Sequence, residues 1–68
     1  MIIVDTCGMS CPQPVLMTKK ALKDNPEAIE IVVDNNVAKG NVERFLKSVG
    51  YTASILEKDD VYIINARK

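Results

Sequence analysis

The junction at residues 5–14 restricts the fold of this chain more than any other feature. It links an apolar run at residues 2–4, which suits a short strand, to a segment whose apolar residues recur with the spacing of one helix face. Cys11 stands where the strand gives way to the helix. Pro12 follows it, at the position where a helix loses least by lacking an N–H. The junction therefore predicts a strand that turns directly into a helix.

The rest of the chain alternates in the same way. The patterns predict strands at residues 2–5, 29–34, 51–57 and 60–66, helices at 12–24 and 37–48, and a turn at 6–10. A right-handed crossover makes the first two strands parallel, and a terminal hairpin completes the sheet. The predicted fold is an α+β two-layer sandwich of order β-α-β-α-β-β, a mixed four-stranded sheet with two helices on one face.

Periodicity also assigns faces to these elements. The second strand should turn Ile29, Ile31 and Val33 towards the helices. The expected buried face of the first helix is Pro14, Val15, Thr18, Ala21 and Leu22, and that of the second is Ala38, Val42, Phe45, Leu46 and Val49. Gly40 weakens the first turn of the second helix, which predicts either a late start or fraying there.

The other face of the sheet has no predicted cover. Ile3, Val32, Leu56 and one of Tyr62 and Ile64 should lie on it. This set favours burial against a second copy of the chain or a neighbouring domain, although small sheets also tolerate such residues in solvent.

Composition excludes several classes of function. The formal net charge is zero and aromatic residues make up 4% of the chain, which argues against direct nucleic-acid binding. No apolar run approaches the roughly 20 residues of a membrane span, and no leader pattern precedes the first strand, so we expect a cytoplasmic protein. Two cysteines four positions apart, with no histidine, give neither a disulfide framework nor a zinc site. We expect no metal and no cofactor.

Charge is unevenly distributed along the chain. The segments at residues 12–24 and 37–48 each carry a net charge of +2, and the remainder carries −4. The helical layer is therefore basic and could steer an acidic protein partner towards Cys11. Ordinary solvated lysines on helix surfaces account for the same pattern.

Cys11 is the residue with the clearest chemical potential. At a helix N-terminus the positive end of the helix dipole favours the thiolate, which is the nucleophilic form. Pro12 and Pro14 remove two N–H groups that would face the sulfur, so the predicted activation is moderate. The alternative is a small buried cysteine in a strand-to-helix turn.

The junction also resembles a known family. Asp5, Gly8, Cys11, Pro12 and Pro14 stand as in the D-x-x-G-x-x-C-P-x-P signature of the TusA/SirA family of sulfur carriers. Residues 18–22 also look like the first helix of that family. The stretch from residues 33–39 through 50–51 is most similar to the N-terminal TusA-like domain of YedF selenium-metabolism proteins. We therefore interpret residues 1–68 as one TusA/SirA-like domain. Proteins resembling YedF carry a DsrE-like domain after it, so the chain could be the N-terminal part of a longer protein.

The resemblance implies a function. Cys11 would accept a sulfane sulfur as a persulfide, and Asp5, Gly8, Pro12 and Pro14 would support it. Such a carrier is sulfurtransferase-like but turns over no small molecule alone. The implied donor is a cysteine desulfurase and the implied acceptor a DsrE-like or tRNA-thiolation protein, with selenium as a variant cargo. The alternative is a protein-interaction or regulatory module with an unreactive Cys11.

Two further hypotheses concern the surroundings of Cys11. Cys7 lies in the same turn and is either a resolving thiol or a passive residue that points into the core. Leu16 and Met17 fall outside the buried face of the first helix, and with Lys19 and Lys20 they could form a partner docking surface. Isolated exposed apolar residues are common, so ordinary exposure is the competing interpretation.

Overall fold

The computed structural model describes residues 2–8 and 13–68 of the chain. It confirms the predicted fold class: two helices on one face of a mixed four-stranded sheet. The elements are β1 (Ile2–Asp5), α1 (Gln13–Ala21) with a 3₁₀ turn (Leu22–Asp24), β2 (Ala28–Val33), α2 (Asn36–Ser48), β3 (Thr52–Lys58) and β4 (Val61–Arg67). The predicted helix start at Pro12 lies outside the described residues.

The strand order across the sheet is β1-β2-β4-β3. β1 pairs with β2 in parallel, and β4 runs antiparallel to both β2 and β3. As a result β1, β2 and β3 all point the same way, and their carboxyl ends meet at one end of the molecule. β1 and β3 are the two edge strands.

The core lies between the sheet and the helices. Ile29, Ile31 and Val33 are buried, as the alternation of β2 predicts. β4 adds Ile64 and Ala66 to the same face because these residues pair with Ile31 and Ile29. Complete burial of an aliphatic side chain of this size is worth about 1.5–3 kcal/mol, so this patch is a main source of stability.

Helix α2 packs on the core through Ala38, Val42 and Leu46. Its predicted late start is wrong: the Asn35 side chain accepts the Ala38 N–H at 2.7 Å, and this N-cap starts the helix at Asn36 despite Gly40. The predicted burial of Val49 is also wrong. The helix ends at Ser48, so Val49 leaves the buried face and is 47% exposed.

Helix α1 is shorter and contacts the core with smaller side chains. Pro14 and Thr18 are its buried residues, and the Thr18 hydroxyl donates back to the Pro14 carbonyl at 2.8 Å. Val15, Ala21 and Leu22 are only partly buried against the core. Its C-terminal extension ends at Asn25, which adopts a left-handed conformation with φ of 55°.

The uncovered sheet face differs from the prediction at one strand. Ile3 and Leu56 lie there, 63% and 56% exposed. From β4, however, it is Ile63 that shares this face, because it pairs with Val32, while Tyr62 and Ile64 pair with Val33 and Ile31 on the helix side. The hairpin turn also sits one residue later than predicted, at residues 59–60.

Candidate functional site

The connection that leaves β1 is fastened to the end of β2. Thr6 is buried, and its N–H and hydroxyl both donate to the Val32 carbonyl, at 2.9 and 2.7 Å. A buried hydroxyl needs such an acceptor, because an unpaired one costs about 1–3 kcal/mol. Thr6 thus fixes the point, beside the end of β2, at which the chain leaves the sheet.

Two carboxylates then hold the turn that follows. Asp5 accepts the Cys7 N–H at 3.0 Å, and Asp34 accepts the Gly8 N–H at 2.7 Å. Gly8 has φ of +80°, where other residues are strained, while the space around it is open. The glycine of the signature is therefore required by the backbone conformation and not by close packing.

Asp34 links this turn to the start of α2. Its second carboxylate oxygen accepts from the Asn35 side-chain amide at 3.1 Å, and Asn35 in turn caps α2. The bond from Gly8 is the main reason why the pKa of Asp34 lies below its ordinary value, since a carboxylate that accepts hydrogen bonds is stabilised in its charged form. The turn and α2 are thus joined by one continuous chain of hydrogen bonds.

Cys7 is exposed, so the expectation that it points into the core is wrong. The pKa of its thiol is raised by loss of hydration, by a hydrogen bond with Asp5 and by the negative charges of Asp5 and Asp34. A raised pKa keeps Cys7 protonated and weakens it as a nucleophile.

Cys11 and Pro12 lie outside the described residues, and the predictions about them stay predictions. In sequence they stand between Gly8, which Asp34 holds, and Gln13, where α1 begins. Pro14 is described: it is buried in the first turn of α1, where its missing N–H costs no helical hydrogen bond. Asp5, Gly8 and Pro14, the described members of the signature, therefore all shape this strand-to-helix connection.

A groove of about 500 Å³ runs beside α1. The structure brings Leu16, Met17 and Lys20 of the predicted docking set together along it. Its lining is completed by Val4, Gln13 and Ala21. Leu16 is 50% exposed and Met17 is half-buried. We name this feature the α1–β1 groove, and its Gln13 end lies closest in sequence to Cys11.

Lys19 lies elsewhere. It lines a second depression between the two helices, of about 400 Å³, with Leu22, Lys23, Asn25, Phe45, Val49 and Tyr51. Lys19 and Lys20 are neighbours in sequence but face different surfaces, because successive helical residues are about 100° apart. We call this feature the interhelical depression.

Acidic residues gather at the end of the molecule where β1, β2 and β3 finish. Asp34, Glu57, Asp59 and Asp60 line one depression there, and Asp5 ends β1 nearby. Within residues 2–8 and 13–68, no three cysteine or acidic side chains are grouped closely enough to hold a metal ion. The basic helical surfaces and this acidic end give the protein charge of both signs around the junction.

Sequence reasoning missed two components of the site. The first is Asp34, although the signal was present: parallel strands bring their carboxyl ends together, so the residue after β2 should meet the turn after β1. The second is Val4, which forms the strand side of the groove. Among the described helices, none is long and apolar enough to cross a membrane.

Comparison with known proteins gives consistent matches. The sequence profile described as "Sulfurtransferase TusA" matches residues 2–68. A protein of Methanocaldococcus jannaschii is 41% identical over 59 residues, which cover 84% of this chain and 79% of that protein, and one of Archaeoglobus fulgidus is 33% identical over 57 residues, or 81% and 74%. Both are described as "Putative sulfur carrier protein".

Two further matches differ in extent. YrkF of Bacillus subtilis, with the same description, is 35% identical over 52 residues, which cover 74% of this chain but 28% of that longer protein. The crystal structure of a SirA-like protein from Desulfitobacterium hafniense superposes with a TM-score of 0.90 at 34% identity, covering 98% of this chain and 96% of the other. The likeness therefore extends over the whole described fold.

Proposed function

Because the chain belongs to the sulfurtransferase TusA family, we propose that it carries sulfur as a persulfide on Cys11. Support comes chiefly from the turn after β1, where Asp5 and Asp34 accept the N–H groups of Cys7 and Gly8, and from Pro14, which is buried in the first turn of α1. A carrier needs a sulfur on a rigid platform, and Thr6 and Asp34 make the start of this connection rigid.

The proposed loading step is a thiol exchange between two proteins. The Cys11 thiolate attacks the terminal sulfur of a persulfide on the donor. The donor's S–S bond breaks, a new S–S bond forms on Cys11, and the donor cysteine leaves as a thiolate. No net oxidation occurs and no general base is needed once the attacking thiolate exists. The lack of histidine in the chain is compatible with this chemistry.

The remaining signature residues act through Cys11 in this proposal. Pro12 follows Cys11 directly, and Gln13 begins α1, whose positive dipole end favours an anion nearby. α1 has no acidic residue in its first turn to offset that field. The acidic end of the molecule opposes it, which is consistent with a moderately activated thiol.

The donor in this proposal is a cysteine desulfurase, and the acceptor is a DsrE-like or thiolation protein. A cytoplasmic location, where thiols remain reduced, is also part of the proposal. Sulfur is the proposed cargo and selenium its variant. The uncovered sheet face, with Ile3, Val32, Leu56 and Ile63, is a proposed contact for a second copy or a neighbouring domain.

Cys7 is assigned a passive role. As a resolving thiol it would attack the Cys11 persulfide, form a Cys7–Cys11 disulfide and release hydrosulfide. That attack needs a thiolate, and the raised pKa of Cys7 works against it. We therefore expect Cys7 to be dispensable for loading.

The test is intact-mass analysis after incubation with a cysteine desulfurase and cysteine. The wild type should gain the mass of one sulfur atom, which a reductant removes. Cys11→Ser should gain none, and Cys7→Ser, the matched control, should gain as much as the wild type. If the wild type gains nothing from an active donor, the carrier proposal fails and an interaction module becomes the better interpretation. If Cys11→Ser still gains the mass of one sulfur atom, the sulfur is carried by another residue and the assignment to Cys11 is wrong.

A further inference from the structure

The two edges of the sheet differ in how they are protected. β3 also exposes Ile55 and Leu56, but it ends in Glu57 and Lys58, and charged side chains are a common guard against unwanted strand pairing. β1 has the sequence Ile-Ile-Val-Asp and no basic residue, and Ile2 and Ile3 are 37% and 63% exposed. Among the described residues, no strand pairs with this outer edge of β1, so it can accept another strand.

The backbone of β1 offers hydrogen-bonding groups at this edge. Thr6 N–H donates to Val32, so Thr6 faces β2, and alternation along a parallel ladder makes Val4 and Ile2 face β2 as well. The N–H and C=O groups of Ile3 and Asp5 consequently point away from the sheet. These groups are spaced so that a short extended segment beside β1 could form hydrogen bonds with them.

The α1–β1 groove lies next to this free edge, on the helix side of the sheet. Val4, Leu16 and Met17 give it an apolar lining, and Lys20 stands on its rim. Among the described residues the one ion pair is Lys47–Glu43, so Lys20 has no acidic partner there. The groove therefore suits a segment with an apolar side chain and a nearby carboxylate.

We propose that the sulfur donor binds by adding an extended segment to the free edge of β1, with an apolar side chain in the α1–β1 groove and a carboxylate at Lys20. This inference rests on the proposed function. The groove includes Gln13, the described residue of α1 closest in sequence to Cys11, so a segment bound there contacts the start of the helix that follows the thiol in sequence.

Charge argues for this occupant over a second copy of the chain. A second copy that paired through its own β1 would bring its own α1, which has no acidic residue between Gln13 and Ala21. Its Asp5 points to the opposite face of the sheet, because Asp5 and Val4 alternate along the strand. Neither supplies a carboxylate to Lys20, whereas an acidic segment of another protein does.

The experiment measures the rate of sulfur loading from a cysteine desulfurase by intact mass. Lys20→Glu and Leu16→Ser should each load roughly five- to tenfold more slowly, since they alter a rim charge and an apolar contact of the same interface. Their matched controls are Lys19→Glu and Val49→Ser in the interhelical depression. Val49 is 47% exposed against 50% for Leu16, and both controls should load at the wild-type rate.

Direct alkylation of Cys11 by iodoacetamide, in a Cys7→Ser background, separates docking from reactivity. All variants should be alkylated at the same rate, because the reagent needs no docking surface. Equal loss of loading in Lys19→Glu and Lys20→Glu would indicate general steering and overturn the groove proposal, as would unimpaired loading of Lys20→Glu and Leu16→Ser. If the wild type itself gains no sulfur, the proposed carrier function is wrong, and the groove proposal that rests on it is wrong too.

Hydrogen exchange tests the strand addition without relying on any substitution in β1. In a complex of Cys11→Ser with the desulfurase, the amides of residues 2–5 should exchange more slowly than in the free protein. Those of residues 52–58, on the other edge, should be unchanged. Protection of the β3 edge alone, or of neither edge, would overturn the proposal.

Discussion

The two helices lie on the same face of one sheet but contribute differently. α2 is capped by Asn35 and buries Ala38, Val42 and Leu46 in the core. α1 buries Pro14 and Thr18, leaves Leu16 half exposed and forms a groove with β1. The difference indicates a division of roles in which α2 supplies stability and α1, the helix that follows Cys11 in sequence, supplies an open surface. A fold of 68 residues buries little surface and is only modestly stable, so the loss of a core contact of α2 should be felt strongly.

The largest expected difference in stability is between two leucine-to-alanine variants, one in each helix. Leu46→Ala should lower the free energy of unfolding by about 2–5 kcal/mol, because it leaves a cavity in the core. Leu16→Ala removes an equal volume from a half-exposed position and should change stability by at most about 0.5 kcal/mol. Urea unfolding followed by circular dichroism measures both. Similar losses for the two variants would refute the division of roles.

The N-cap gives a smaller test of what α2 depends on. Asn35→Ala should cost about 1 kcal/mol, because the Ala38 N–H loses its acceptor. Asn35→Ser keeps an acceptor oxygen and should recover most of that loss. Asn36→Ala, one residue later and inside the helix, is the control and should be nearly neutral. If Asn36→Ala costs as much as Asn35→Ala, the cap bond is not the cause.

The smallest expected effect concerns the hydrogen bond from the Gly8 N–H to the Asp34 carboxylate, which joins the turn after β1 to the start of α2. The pKa of Asp34 is lower in the folded protein than the value of about 3.9 for a free aspartate, so its contribution to stability is present above that value and disappears as the pH falls through the folded pKa. Asp34→Asn should therefore be less stable than the wild type at pH 7, and the difference should shrink towards pH 3.

The measurement is the urea midpoint of both proteins across that pH range. Asp60→Asn, in the nearby hairpin turn, controls for the loss of one negative charge at the same end of the molecule. A difference between wild type and Asp34→Asn that stays constant from pH 7 to pH 3 would show that the Asp34 carboxylate does not act through its ionisation.

Much of this molecule could be predicted from local patterns. The alternation in β2 assigned Ile29, Ile31 and Val33 to the core correctly, because alternate residues of a strand share one face and these three are all apolar. The wrong predictions concern positions where another interaction outweighs the local sequence preference. Gly40 was expected to delay α2, but the cap at Asn35 outweighs one glycine. On β4, where both faces are apolar, only pairing with β2 showed that Ile63 lies on the open side.

The sequence alone determined the order of elements, the class of fold and the signature around Cys11, because hydrophobic period and turn residues act over a few positions. Only the tertiary structure decided that Asp34 holds Gly8, that Val4 completes a groove with Leu16, and that Lys19 and Lys20 serve different surfaces. The first two relations join residues far apart in the chain, and they depend on which strands become neighbours and on where α1 packs against the sheet. The helical period separates Lys19 from Lys20 by about 100°, but only the packing of α1 assigns each of them to its surface. Patterns over a few positions do not contain this information.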